Sequence, residues 1–96
     1  MHNWGKFYSS NHKAYTFGST YASHGKVYTK WHGKESTPRL GYVWFKYYSN
    51  GGWHTFSRKW DGTHSESWSG RGITKVYTYT CWGSASTFCG KVYRIY

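Results

Sequence analysis

Only seven of the 96 residues are Val, Ile or Leu (Val27, Val43, Val76, Val92, Ile73, Ile95 and Leu40), and that scarcity constrains the fold more than any other feature. A chain of this length is expected to form one domain around one core. With so few aliphatic side chains, the interior is predicted to rest mainly on Tyr, Phe and Trp, which make up 24% of the sequence. A ring buries about 150–250 Å², worth about 4–6 kcal/mol at ~25 cal/mol/Å² before entropy is subtracted. A handful of buried rings therefore suffices. Five Phe, eleven Tyr and seven Trp are more than a small interior holds, so the surplus is expected at the surface.

Helix formers are scarce: alanine occurs three times and leucine once, while β-branched and aromatic residues broken by Gly and Ser dominate. The predicted fold is all-β, a small antiparallel β-sandwich or barrel of about 7–8 short strands. The predicted strands are Trp4–Ser9, Ala14–Thr20, Lys26–Trp31, Tyr42–Tyr48, Trp53–Lys59, Ser65–Ser69, Thr74–Cys81 and Cys89–Tyr96. Turn chemistry fills the gaps: Ser10-Asn11-His12, Ser23-His24-Gly25, Gly33 to Arg39 with the only proline, Ser49-Asn50-Gly51-Gly52, Asp61-Gly62 and Gly70-Arg71-Gly72. The sharpest signal is Gly41–Lys59, where Asn50-Gly51 tolerates the positive φ of a tight hairpin. Three strands open on similar grammar, Gly25-Lys26-Val27-Tyr28, Thr74-Lys75-Val76-Tyr77 and Gly90-Lys91-Val92-Tyr93, at separations too unequal for a repeat array.

Cys81 and Cys89 have seven residues between them, which fits neither a zinc knuckle nor a thioredoxin-like motif. A hairpin disulfide is predicted, stabilising the fold by about 2.5 kcal/mol and pointing to an oxidising compartment. If Cys81 faces Cys89, Tyr79 faces Lys91, Tyr77 faces Tyr93 and Lys75 faces Ile95. No apolar run approaches the about 18 residues of a membrane-spanning helix, and Met1 to Lys6 contains no signal-peptide core. With the disulfide, this suggests a secreted protein whose leader has been removed.

Thirteen Lys and Arg face only Glu35, Asp61 and Glu66, a formal net charge of +10. Such a chain attracts anionic polymers, and exposed Tyr and Trp offer flat faces to sugars, bases or membrane headgroups. The cations lie beside rings: Lys30-Trp31, Phe45-Lys46-Tyr47, Lys59-Trp60, Lys91-Val92-Tyr93-Arg94. Strand alternation by itself yields the same string, with charge outside and rings inside. The surplus of rings over available core favours a ligand. Trp82 lies within the cysteine loop, where little protein is expected to cover it, and Trp53 opens a return strand after a glycine turn.

His24, His32, His54 and His64, with Glu35 and Glu66, could in principle serve catalysis or a metal. Nothing in their order matches a nucleophile elbow, a zincin helix or a P-loop. No catalytic residue, metal site or cofactor is assigned.

Trp4-Gly5, then Tyr15 to Tyr21 with Ser-His-Gly-Lys-Val at 23–27, and Gly41-Tyr42-Val43-Trp44 opening the next strand resemble the lactococcin 972-like family of small secreted bacteriocins. The likeness spans Ala14 to Gly52; the cysteine pair, the length and the aromatic content depart from the family. It implies a leader-cleaved β-sandwich acting on the bacterial wall precursor lipid II. Gly41 to Trp44 through Ser49 to Gly52 is also similar to the central strands of wall-binding bacterial SH3 domains. The reading is a secreted cationic antimicrobial that binds the anionic bacterial envelope, with contact to the membrane surface. A carbohydrate-binding module is the alternative, and a nucleic-acid-binding or nuclease toxin ranks third. The expected ligand-binding residues are Trp44, Lys46, Tyr48, Trp53, Arg58, Trp60 and Trp82.

Overall fold

Asn50-Gly51 does turn a hairpin with both residues at positive φ (51° and 81°), and His24-Gly25 turns another in the same way (52° and 80°). In the computed structural model, which describes residues 2–96, these hairpins belong to eight strands with no helix among the described residues. They are β1 His2–Tyr8, β2 Ala14–Ser23, β3 Lys26–Glu35, β4 Gly41–Ser49, β5 Gly52–Trp60, β6 Thr63–Arg71, β7 Ile73–Trp82 and β8 Tyr93–Arg94. Two four-stranded antiparallel sheets result, ordered β1-β2-β3-β6 and β5-β4-β7-β8. We call them the first and the second sheet. They pack face to face as a sandwich measuring 40 × 22 × 17 Å.

A short turn suffices to cross from β5 to β6 because both are edge strands on the same flank. Asp61-Gly62 carries the chain from β5 into the first sheet, and Gly72 returns it to β7. Side chains close both flanks. Phe56 and Trp68 meet edge-on at 5.1 Å between β5 and β6, and Phe7 stacks on Tyr93 at 3.9 Å between β1 and β8.

The interior differs from the sequence expectation. Its buried apolar residues are Trp4, Ala14, Val27, Trp31, Val43, Phe45, Trp60, Ile73, Val76, Cys81 and Ile95, and none of the eleven tyrosines is buried. Five threonines, Thr16, Thr20, Thr29, Thr78 and Thr80, complete it. A β-branched threonine fills a pleat much as valine does. Its hydroxyl must then find a partner: Thr16 bonds Thr80 (2.8 Å), Thr20 bonds Thr29 (3.2 Å) and receives the Trp4 indole N–H (3.0 Å), and Thr78 donates to the Trp44 carbonyl (2.8 Å). Tyrosine cannot hide so simply, since its hydroxyl stands at the far end of a long ring.

β3 runs through Gly33 to Glu35, a stretch read from sequence as a turn. Gly33 and Gly41 lie beneath the Trp60 indole, and a Cβ at either would overlap that ring. Glycine here signals close packing and not a break.

Cys81 and Cys89 are bonded. The last strand is only Tyr93–Arg94, however, and Tyr77 faces Arg94 with Thr78 opposite Tyr93, one residue out of the expected register. Ile95 explains the slip. Opposite Lys75 it would point to solvent; its N–H instead donates to the Val76 carbonyl at 2.8 Å and its side chain is 1% exposed.

Candidate binding faces

Alternation along β4, β5 and β7 sends Tyr42, Trp44, Lys46, Tyr48, Trp53, Tyr77 and Tyr79 to the outer side of the second sheet. Four of the expected site residues, Trp44, Lys46, Tyr48 and Trp53, thus share one face. Trp53 is 47% exposed. It stands edge-on to Tyr48 at 5.1 Å and 6.0 Å from Tyr77, with the Lys46 ammonium 4.8 Å from its ring centre. At the other end of this face the cysteine loop folds over the sheet. The Trp44 indole donates to the Ala85 carbonyl at 2.6 Å and stacks on Tyr79 at 6.0 Å. Burial pushes the Tyr79 hydroxyl above the ordinary tyrosine pKa.

The outer side of the first sheet holds none of the expected site residues. Along β3 it reads Lys26, Tyr28, Lys30, His32, Lys34, cation and ring in strict alternation. β2 extends each ring across the sheet: Tyr21 pairs with Tyr28 and stacks on it at 5.1 Å and 13°, and Phe17 pairs with His32 and stacks at 4.9 Å and 26°. On the other side β6 contributes exposed Ser65, Ser67 and Ser69, and the Ser65 hydroxyl lies 2.6 Å from His32 Nδ1. An open cleft of about 390 Å³ lies where β1 meets this face, lined in part by Asn3, Lys6, Phe17 and His32.

The carboxylates are segregated. Among the described residues none stands on either outer face. Glu66, on β6, accepts from His64 (2.9 Å) and pairs with Arg58 (3.4 Å), while Asp61 lies in the β5–β6 turn. Glu35 is 4% exposed and joins two loops. Its oxygens accept from the Gly62 N–H (2.6 Å), the Thr37 N–H (2.8 Å) and the Thr37 hydroxyl (2.9 Å). Burial alone would raise its pKa, but these hydrogen bonds, with Asp61 adding to them, hold it below the ordinary glutamate value.

Three expected contact residues lie elsewhere. Trp60 is a core residue, 4% exposed, with its indole donating to the Gly62 carbonyl at 3.1 Å. Arg58 faces the β5–β6 flank, because it sits an odd number of residues from Trp53 along the strand, and covers the Phe56 ring at 4.9 Å. Trp82 pairs with Gly41 at the far end of β4 from Trp53. It is half-buried, not bare: its indole donates to the Thr37 hydroxyl at 2.8 Å, Phe88 meets it edge-on, and Lys13 and Arg39 cover it at 5.2 and 5.9 Å.

The four histidines do not converge. His24 bonds Ser23 in a turn, His32 is on the first face, His54 stacks on Tyr47 and His64 joins Glu66. Among the described residues no three His, Cys, Asp or Glu side chains assemble as metal ligands would, and no helix is long and apolar enough to cross a membrane. The fold and surface together define an eight-stranded antiparallel β-sandwich with two basic, aromatic outer faces. No family profile matches the chain, and no curated protein or solved structure matches it.

Adjacent pairs such as Lys30-Trp31 and Lys59-Trp60 place the cation and the ring on opposite faces, because consecutive strand residues alternate. The signal that finds the first face is spacing of two, Lys26-x-Tyr28-x-Lys30-x-His32-x-Lys34.

Proposed function

We propose that this protein is a secreted, bacteriocin-like antimicrobial that binds the anionic polymers of the bacterial envelope through the outer face of the second sheet. The observation that carries the reading is the exposed Trp53 ring, flanked by Lys46, Tyr48 and Tyr77 on a face without a carboxylate. Its cations concentrate the protein at a negative surface, each contributing about 1 kcal/mol there. Its rings then seat it, because the C–H faces of sugars and the interfacial layer of a membrane both accept flat aromatic groups. The likeness to lactococcin 972-like bacteriocins and the disulfide support a wall-facing, extracellular role.

Binding of labelled protein to intact Gram-positive cells and to immobilised dextran sulfate tests the proposal. Affinity should fall steeply with added salt, since such attraction is screened over about 8 Å at physiological ionic strength. Trp53→Ala should weaken binding by about 1–3 kcal/mol and reduce killing in parallel, with the melting temperature nearly unchanged. Salt-indifferent binding that neutral dextran competes away would assign the face to a neutral-sugar module instead.

A further inference from the structure

We propose that the outer face of the first sheet is a second, independent site for an anionic polysaccharide, so that one molecule bridges two polymer chains. The bridging role rests on the reading of the second sheet given above, whereas the site itself rests on its own geometry.

From Lys26 to His32 the rungs across β2, β3 and β6 alternate between cationic and aromatic, and at Lys34 the cation shares its rung with Tyr15. Ser19, Lys30 and Ser67 form a cationic rung; Phe17, His32 and Ser65 form the next, an aromatic one. A ligand that suits this ladder has flat apolar faces, hydroxyl groups and widely spaced negative charges. Lys26, Lys30 and Lys34 recur every four residues, about 13 Å apart at ~3.3 Å per residue. A nucleic-acid strand carries a phosphate on every nucleotide, more closely spaced than these lysines, so that some phosphates in each lysine interval would lack a cation. The row of serines beside the rings offers hydroxyls that donate and accept, which suits a polyol better than a chain of phosphates. These features favour a sparsely charged sugar polymer.

The two faces point away from each other across a sandwich whose shortest dimension is 17 Å. A polymer passing from one to the other round the β5–β6 flank would leave the lysines for a flank where Glu66 already neutralises Arg58 and Asp61 adds a negative charge. Two separate chains, one on each face, keep their contacts with the lysines and rings.

A two-step capture experiment tests this. Protein is loaded on immobilised dextran sulfate, washed, and offered a second, fluorescent dextran that carries only sparse carboxymethyl groups. Wild type should hold the second chain. Tyr28→Ser with Lys30→Gln, and separately Trp53→Ala with Lys46→Gln, should each still load on the first polymer yet lose about tenfold or more of the capture. All four positions face outward, so the melting temperature checks that the variants are folded. Capture by the Tyr28/Lys30 variant at the wild-type level would overturn the proposal, because bridging would then arise from paired molecules using the second sheet alone. Wild type that loads but captures nothing would overturn it too, as when one polymer wraps both faces across the β1–β8 flank. Preferential capture of labelled oligothymidylate would reassign the first face to nucleic acid. Failure to load at all would instead overturn the proposed function.

Discussion

The two outer faces draw on the same residue types but treat them differently. On the first sheet the rings lie in stacked pairs separated by lysines and remain open along the length of β3. On the second sheet one half is open around Trp53, while the other is roofed by the cysteine loop, whose Ala85 carbonyl takes the Trp44 hydrogen bond. An aromatic face can therefore stay open or hold a loop, and the local partner decides which. Composition alone does not separate these uses. An indole N–H satisfied by the protein's own backbone marks the tied half.

Removing the tie should separate the faces most. Cys81→Ala with Cys89→Ala should lower stability by about 2.5 kcal/mol and the melting temperature by about 10–20 °C. Below the melting range, binding through the first face should persist, and Trp44 fluorescence should shift to the red as its cover loosens. Unchanged Trp44 emission would mean that the roof stands without the disulfide.

Trp82 belongs to neither face. Trp82→Ala should cost about 2 kcal/mol of stability, less than the loss of a fully buried ring, and leave binding to dextran sulfate unchanged, the reverse of Trp53→Ala. If binding falls while the melting temperature holds, the end of the sandwich covered by Lys13 and Arg39 is a third contact region.

The smallest effect concerns Glu35, whose hydrogen bonds join the β3–β4 loop to the β5–β6 turn beneath both faces. Its pKa is lowered in the folded protein. The stabilisation is therefore fully present above the ordinary glutamate pKa and is lost as pH falls through the lowered one. Glu35→Gln should cost about 1 kcal/mol at neutral pH and flatten the acid limb of a melting-temperature profile. An unaltered acid limb would mean that Glu35 does not set it.

Much of this architecture is legible in the residues. Turn chemistry locates seven strands to within a few positions, because Gly and Asn at positive φ leave strong local marks. The register of β8 is not local. It follows from Ile95 reaching a core assembled by distant strands, and only the packed sheet reveals which neighbour it needs. Trp44, Lys46, Tyr48 and Trp53 come together because the Asn50-Gly51 hairpin fixes their pairing. The first face draws on β2, β3 and β6, and β6 joins β3 only after an excursion through the other sheet. Trp60 shows the limit from another side: its burial depends on Gly33, which reads as part of a turn, and on Gly41, which reads as the opening of a strand, both far from it in sequence.

The threonine-lined interior has a thermal consequence. Exposure of apolar surface raises the heat capacity of unfolding, and exposure of polar groups lowers it. A core in which Thr16, Thr20, Thr29, Thr78 and Thr80 stand where valines could should unfold with a heat-capacity increment below the usual ~12–15 cal/mol/K per residue. Its free-energy curve should accordingly be broader and shallower, and cold unfolding should set in at a lower temperature than for an aliphatic core of equal size and stability.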